Sequence, residues 1–309
     1  MTGSPNTLRI ATRQSRLALW QAEHVAACLR ARFPELEIVL VPMTTQGDRV
    51  VDRPLAEIGG KGLFIKELER AIFDGHADVA VHSMKDVPSE LPAGMTLGAM
   101  LPRADPRDAF ISNRYASFAE LPRGARVGTS SPRRQAQLRH ARADLDIVTL
   151  RGNVETRLRK LDEGEYDAII LATAGLVRLE LAHRITQHLD SSFSVPAPGQ
   201  GIIGIECRAD DERSLRYVQA LNDEATATCC RAERAFARRL QGDCYSPIAA
   251  FAQLRDGQLM LEGVVASLDG KQMYRDAISG EPSAAAALGV ELAEKLLNAG
   301  ARTLLPPAT

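Results

Sequence analysis

Short β-branched and apolar runs alternate with segments of helical period through the first 180 residues. The runs at 8–12, 36–42, 77–82, 126–129, 146–150 and 167–171 read as strands. Helical spacing of apolar positions predicts helices over 14–32, 61–74, 132–142, 153–163 and 174–182. This βαβα rhythm implies an α/β architecture with mainly parallel sheets. Two openings resemble each other: Arg9 to Ser15 and Arg126 to Ser131 both run strand, Thr, Ser, helix. They point to two similarly built α/β halves. Beyond residue 220 the pattern changes. A helix over 223–240 gathers Ala225, Cys229, Ala232, Phe236 and Leu240 on one face. Strands near 247–254, 258–267 and 272–279 follow, punctuated by the hairpin signals Asp256-Gly257 and Asp269-Gly270. A helix over 283–299 completes a smaller α+β domain with an antiparallel sheet. The stretch 44–60, with Gly47, Asp48, Arg49, Pro54, Gly59 and Gly60, has no clear period. It reads as a cover over a site or as a plain surface loop.

Composition narrows the function. The 309 residues suggest two or three domains. Lys and Arg total 38 against 39 Asp and Glu, a net charge of −1. That balance argues against a general nucleic-acid binder, and an aromatic content of 5% offers little for base stacking. No apolar run approaches a membrane span. The first residues lack an apolar signal core and are interrupted by Arg9, Arg13 and Arg16, so a cytoplasmic enzyme is expected. The five cysteines are odd in number and form no Cys-x-x-Cys pair, and the six histidines are scattered. Reduced thiols and no metal site follow as expectations. Cys28, Cys207 and Cys229 read as core fillers, Cys230 as ambiguous.

In open α/β sheets, ligands bind beyond the carboxyl ends of the strands. The residues just past the predicted strands are Arg13 and Ser15; Ser83, Lys85 and Asp86; Ser130, Ser131, Arg133 and Arg134; Arg151, Gly152 and Asn153; and Thr173, Gly175 and Arg178. Between 126 and 160, eight Arg and Lys160 face three carboxylates. Ser131 suits an N-cap and Pro132 the first helical position. Helix N–H groups, the dipole and Arg133/Arg134 would then favour an anion, unless these Arg lie on a solvated face. A small molecule with several carboxylates or phosphates fits better than nucleic acid. Asp86, a lone carboxylate beside Lys85, could stabilise developing positive charge or move protons, or simply pair with Lys85. His82 reads as structural. Cys244, in a Gly/Pro-bearing loop, is a nucleophile, an attachment point or an ordinary loop thiol.

Together these segments resemble the porphobilinogen deaminase (hydroxymethylbilane synthase) family. The matching stretches are Ala11–Ser15, Gly59–Phe64, Val81–Pro88, Gly128–Ser131 with Arg133–Gln135, Leu150–Asn153, and Pro198–Gly201 running to Ile205–Arg208. The His-Ser-x-Lys-Asp-x-Pro and Ser-Ser-x-Arg-Arg-Gln segments are the most specific. The resemblance implies a transferase that condenses four porphobilinogen units head to tail with loss of ammonia, giving hydroxymethylbilane for tetrapyrrole biosynthesis. It implies a dipyrromethane cofactor in thioether linkage to Cys244. It implies Asp86 as the catalytic carboxylate, acting on positive charge at pyrrole nitrogens as an electrophilic azafulvene forms. Lys85, Ser131, Arg133, Arg134 and Arg151, with Asp86, would hold the cofactor. Arg13, Ser15, Arg157, Arg178, Lys61, Phe64 and Gln200 would hold substrate, Lys61 and Phe64 at the end of the loop and Gln200 near a hinge.

The implied fold has two doubly wound domains like periplasmic binding proteins, with the cleft between them, and a smaller α+β domain with a three-stranded antiparallel sheet. The expected boundaries are 1–101 with 202–219, then 104–196, then 224–309. Porphobilinogen is the expected partner, with neither nucleic acid nor membrane, and the expected state is a monomer. The sequence departs from the family at Pro132, usually apolar, and at Gly242-Asp243-Cys244, commonly Gly-Gly-Cys. A carboxylate close to Cys244 would disfavour its thiolate. The competing reading is a non-catalytic anion-binding protein on the same fold; Asp86 and the cysteine loop favour the enzyme.

Overall fold

Residues 6–49, 62–242 and 246–305 are described by a computed structural model of the chain. The first half runs β1 (Thr7–Arg13), α1 (Arg16–Arg32), β2 (Glu37–Met43), the single turn α2 (Gln46–Arg49), α3 (Lys66–Phe73), β3 (Val79–Ser83) and β4 (Met95–Met100). Then come β5 (Asp108–Ile111), β6 (Arg126–Gly128), α4 (Pro132–Ala141), β7 (Asp146–Val148), α5 (Val154–Asp162), β8 (Ala168–Ala172), α6 (Thr173–Arg178) and β9 (Gln187–Leu189). The chain continues through β10 (Ile203–Arg208), α7 (Glu212–Gln219), α8 (Glu224–Arg239), β11 (Ile248–Arg255), β12 (Gln258–Ala266), β13 (Met273–Gly280) and α9 (Ala285–Asn298).

Two compact units result: 1–103 with 202–227, and 104–201 with 228–309. The sheet of the first unit has the order β2-β1-β3-β10-β4, and that of the second β7-β6-β8-β5-β9. In each, the first three strands are parallel and the fourth is antiparallel to both neighbours. The two sheets therefore share one plan, as the paired sequence openings imply. Four of the five strands in each sheet run the same way, as expected, and one antiparallel strand makes each sheet mixed. The strands that make them so carry weak sequence signals. β5 begins with the buried Asp108, and β10 contains Gly204 and the buried Glu206, so neither reads as an apolar run.

Local chemistry explains the helices. α1 buries Ala18, Ala22, Val25, Ala26 and Leu29, one stripe at helical spacing, against Leu8, Ile10, Val81 and Ile205. On the sheet's other face, α3 buries Leu68, Ala71 and Ile72 against Ala11 and Ala80. In the second unit, Leu138 of α4 packs with Phe110, Val127 and Ile170, and Leu158 and Leu161 of α5 pack with Ile111 and Ile169. The α+β segment forms a sheet β11-β12-β13, antiparallel throughout, joined first by the two-residue Asp256-Gly257 hairpin. Its core is Phe236, Leu261, Val265 and Leu292. Its other face meets α4 through Ala136, Ala249, Phe251 and Val264.

Glu233, fully buried on α8, fastens this segment to the loop before β10. One carboxylate oxygen accepts the Gly199 N–H at 2.7 Å and the other the Ala252 N–H at 2.8 Å. Truncation strands two buried donors, so Glu233→Ala is expected to cost about 3 kcal/mol in a urea melt. Glu233→Gln, which keeps one acceptor oxygen, should lose distinctly less.

Candidate functional site

In the first unit the candidate residues follow β1 and β3. Ser15 caps α1, its hydroxyl accepting the Ala18 N–H at 3.4 Å. Arg13, the last residue of β1, does not present an empty fork. Its guanidinium grips Asp48 through Nε at 3.2 Å and through Nη2. The Phe64 ring centre lies 4.3 Å from the same guanidinium carbon. Asp48 also accepts the Thr45 hydroxyl at 2.7 Å. Burial pushes the Asp48 carboxyl up, but Arg13 and Thr45 outweigh it and hold it below the usual carboxylate range. Arg13, Phe64 and Asp48 thus form one cluster where the segments 44–49 and 62–65 meet the end of β1.

β3 ends at Ser83, whose hydroxyl accepts the Gln21 amide N–H at 2.8 Å. The chain then makes a tight turn over Met84–Asp86, with Lys85 and Asp86 half-buried. Among the described residues, no hydrogen bond or ion pair engages the Asp86 carboxylate. The Met84 N–H donates to the Ile202 carbonyl at 3.0 Å and fixes this turn on the strand that enters β10.

The second unit places three strand exits side by side. The Ser130 hydroxyl donates to the Leu150 carbonyl, and the Thr129 N–H donates to the Val148 carbonyl at 2.9 Å. These bonds tie the exit of β6 to that of β7. Ser131 caps α4, accepting the Arg134 N–H at 3.4 Å, with Pro132 at the first helical position. Asn153 caps α5, accepting the Thr156 N–H at 2.8 Å. Gly152 has φ +112°, and a Cβ there would lie 2.7 Å from Thr156, so no other residue fits. Arg151 and Arg157 are half-buried beside this cap, with Arg157 Nε donating to the Gly152 carbonyl at 2.8 Å.

Arg133 and Arg134 lie deeper than a ligand-facing role anticipates. Their relative exposures are 4% and 6%, and both forks close on Asp108, which is fully buried. Arg133 donates through Nη1 and Nη2 at 2.9 and 3.0 Å, and Arg134 through Nε and Nη2 at 2.9 and 2.7 Å. Ser194 Oγ and Gln200 Nε2 also donate to Asp108, each at 2.9 Å. Burial pushes the Asp108 carboxyl up, yet the two Arg overwhelm it and hold it far below the usual carboxylate range. Arg133 Nε is buried with no hydrogen-bond partner. Arg178 is buried too, its Nη2 donating to the Gly201 carbonyl at 2.7 Å, and burial lowers it to about 10.

The structure therefore gathers Ser131, Arg133, Arg134, Arg151, Arg157, Arg178 and Gln200 in one unit, and Arg13, Ser15, Phe64, Lys85 and Asp86 in the other. Cys244, Asp243 and Lys61 lie outside the described residues. Sequence reasoning missed Asp108 and Asp48. The one available signal was an Arg-Arg pair that, if buried, demands a carboxylate elsewhere. Cys207 and Cys229 are buried as expected and the ambiguous Cys230 is buried with them, whereas Cys28, expected in the core, is only half-buried on α1. No group of potential metal ligands occurs among the described residues, and no helix among them is long and apolar enough to cross a membrane.

The donor set suits a carboxylate-rich group: cationic forks, two capped helix starts and one orphaned buried N–H. Replacing Asp108 with Asn leaves two buried guanidinium groups short of their counter-charge. A loss of about 3–5 kcal/mol is expected by chemical denaturation. Ser131→Ala should cost only about 1 kcal/mol, the worth of an N-cap.

Comparison with known proteins follows the same lines. Residues 8–216 match the family profile described as porphobilinogen deaminase, dipyromethane cofactor binding domain, and residues 227–298 match the porphobilinogen deaminase C-terminal domain. A porphobilinogen deaminase of Syntrophotalea carbinolica is 55% identical over 302 residues, spanning 98% of this chain and 96% of that protein. One from Pelobacter propionicus is 54% identical over 301 residues, 97% of each. Among solved structures, the methionine-binding protein MetQ aligns with TM-score 0.46 at 15% identity over 71% of this chain and 90% of its own. Immunogenic lipoprotein A from Vibrio vulnificus aligns with TM-score 0.45 at 16% identity over 72% and 97%.

Proposed function

The chain belongs to the porphobilinogen deaminase family, and from that premise we propose that Asp86 is its catalytic carboxylate and Cys244 the anchor of its dipyrromethane. The protein is a transferase that condenses four porphobilinogen molecules head to tail, with release of ammonia, to give hydroxymethylbilane. The observation that carries the site assignment is the Asp86 carboxylate, half-buried on a turn whose start is fixed by the Met84 N–H to the Ile202 carbonyl and engaged by no described side chain. The alternative of a non-catalytic anion binder is not favoured, because both named relatives are deaminases matched over nearly their whole length.

The dipyrromethane, when bound, supplies a free pyrrole α-carbon as nucleophile and primer. The rest is work for the chain's own groups. Loss of ammonia from porphobilinogen places positive charge on its pyrrole nitrogen. Asp86 accepts the hydrogen bond from that N–H, stabilises the charge and moves the proton released when the new bond forms. Ser131, Lys85 and Arg151 hold cofactor carboxylates. Arg134 is committed to Asp108 and the Ile170 carbonyl and orients the start of α4. Arg133 keeps its Nε for a cofactor carboxylate.

Arg157, Arg178, Gln200, Ser15, Lys61 and Phe64 take part in substrate binding. Arg13 accepts a substrate carboxylate in exchange for Asp48. The exchange is feasible because the pair retains some exposure, with side chains at 23% and 21%. Residues 224–309 act as a third domain that presents Cys244. The protein works as a cytoplasmic monomer without nucleic acid or membrane.

Intact-mass measurement tests the anchor. The purified protein should exceed its sequence mass by two pyrrole units, and Cys244→Ser should not; an unmodified yet fully active protein overturns the assignment. For Asp86, the Asn variant should fold and carry the cofactor but turn over at least a hundredfold more slowly. Near-normal turnover would exclude it as the catalytic group.

A further inference from the structure

Close to the catalytic turn lies a group of buried ionisable side chains that the reaction above does not use. His82 on β3 is 5% exposed, Glu206 on β10 is 0% exposed and Glu69 on α3 is 7% exposed. His82 Nε2 and Glu206 Oε2 are 2.9 Å apart. The register pairs His82 with Gly204 and Ala80 with Glu206, so His82 and Glu206 are diagonal neighbours on one face of the ladder. α3 covers that face, packing Leu68, Ala71 and Ile72 on Ala80. Glu206 Oε1 is buried with no hydrogen-bond partner. The same two strands carry the turn to Asp86: Ser83 pairs with Ile203, and Met84 packs so closely on Gly204 that a Cβ there would lie 2.1 Å from its sulfur.

Burial in a nearly dry site beside the Glu206 carboxylate disfavours a second charge on Glu69. We infer that Glu69, His82 and Glu206 are positioning residues that act through the turn 84–86, the charge on Glu69 setting whether Asp86 is backed by a neutral or an anionic group. The inference rests on Asp86 as the catalytic carboxylate. An anionic backing favours the positive charge that Asp86 must stabilise, and a neutral one does not.

The charges around Glu69 agree with this. Burial, aided by the Glu206 charge, raises it from 4.5 to about 7, while His82 and Lys66 pull it down. Lys66 is the cation from its own helix. Glu67 on α3 accepts the Gln46 N–H, and Arg70 pairs with Asp74 at the helix end. From β1, Arg9 is committed to Asp78 and Arg13 to Asp48. Because the folded protein binds the Glu69 proton more tightly than the unfolded chain, Glu69 contributes stability fully below about pH 4.5 and loses it as pH rises to about 7. Activity gains over the upper part of the window in which stability is lost.

The test is the pH dependence of turnover in the holoenzyme. In the native sequence, kcat should rise severalfold through a one-proton limb near pH 7, with KM nearly constant. Glu69→Gln should abolish the limb and hold kcat at its low-pH value, while melting at higher temperature than the native protein at pH 8. Glu67→Gln, a neighbour outside the cluster, should keep the limb. Difference infrared spectra should show a protonated carboxyl band lost between pH 6 and 8 and absent in Glu69→Gln. An unchanged limb in Glu69→Gln, or no carboxyl titrating in that range, overturns the inference. Asp86→Asn separates the two readings: normal turnover in that variant removes the premise, whereas the infrared titration belongs to the cluster alone.

Discussion

A carboxylate cut off from water must be answered by charge, and Asp108 is answered twice over. Its oxygens receive both Arg133 Nη groups, Arg134 Nε and Nη2, the Ser194 hydroxyl and the Gln200 amide. Three pieces of chain meet there: β5 provides the acid, the first turn of α4 the two guanidinium groups, and the 194–200 loop the neutral donors. None of them can move without leaving a buried charge uncompensated. The start of α4 is therefore fixed from below by ion pairs and from above by the Ser131 cap. Its far side is held by Ala136 against Ala249 and Val264 of the α+β sheet. The candidate donors at the start of α4 inherit their rigidity from this one acid.

The first unit repeats the plan with a softer version of the same contact. Arg13 ends β1, Arg133 lies a few residues past β6, and a protein carboxylate meets each. The difference is burial. Asp48 and Arg13 keep roughly a fifth of their side-chain surface, whereas Asp108 keeps none. An exposed pair is worth at most about 1 kcal/mol, so an incoming carboxylate can displace it. A buried one is part of the frame. Two similar pairs thus differ in how deeply they are held.

Much of the fold was legible in the sequence because its signals are local. Ser15 and Ser131 mark helix starts, the Asp256-Gly257 pair marks a two-residue hairpin, and the stripe from Ala18 to Leu29 marks a buried helix face. β5 and β10, the antiparallel strands of the two mixed sheets, escaped because their meaning is tertiary. Glu206 within β10 looks like surface until His82 is found beside it, and Asp108 looks like a loop acid until two Arg close on it. The candidate site was legible in kind but not in depth. The strand-exit argument placed Arg133 and Arg134 at the helix start after β6, where they lie, yet nothing in their spacing tells that their forks face inward. Asp86 stood out as a lone acid beside Lys85 at a strand exit, and it was the family resemblance that gave it a role.

In each five-stranded sheet, the fourth strand is the one adjoining the crossing between units: β10 after the chain returns, β5 as it enters. This order has a consequence for biosynthesis. When residue 103 has left the ribosome, β3 and β4 are both present, yet the strand that joins them is still about a hundred residues from being made. The first-made half waits with two open edges while the second is completed. Its closure is a late, long-range event, the kind that folds slowly and invites mispairing. The nascent protein should accordingly depend on being shielded until residue 208 is free, and a chain truncated before β10 should be unable to keep its first half folded.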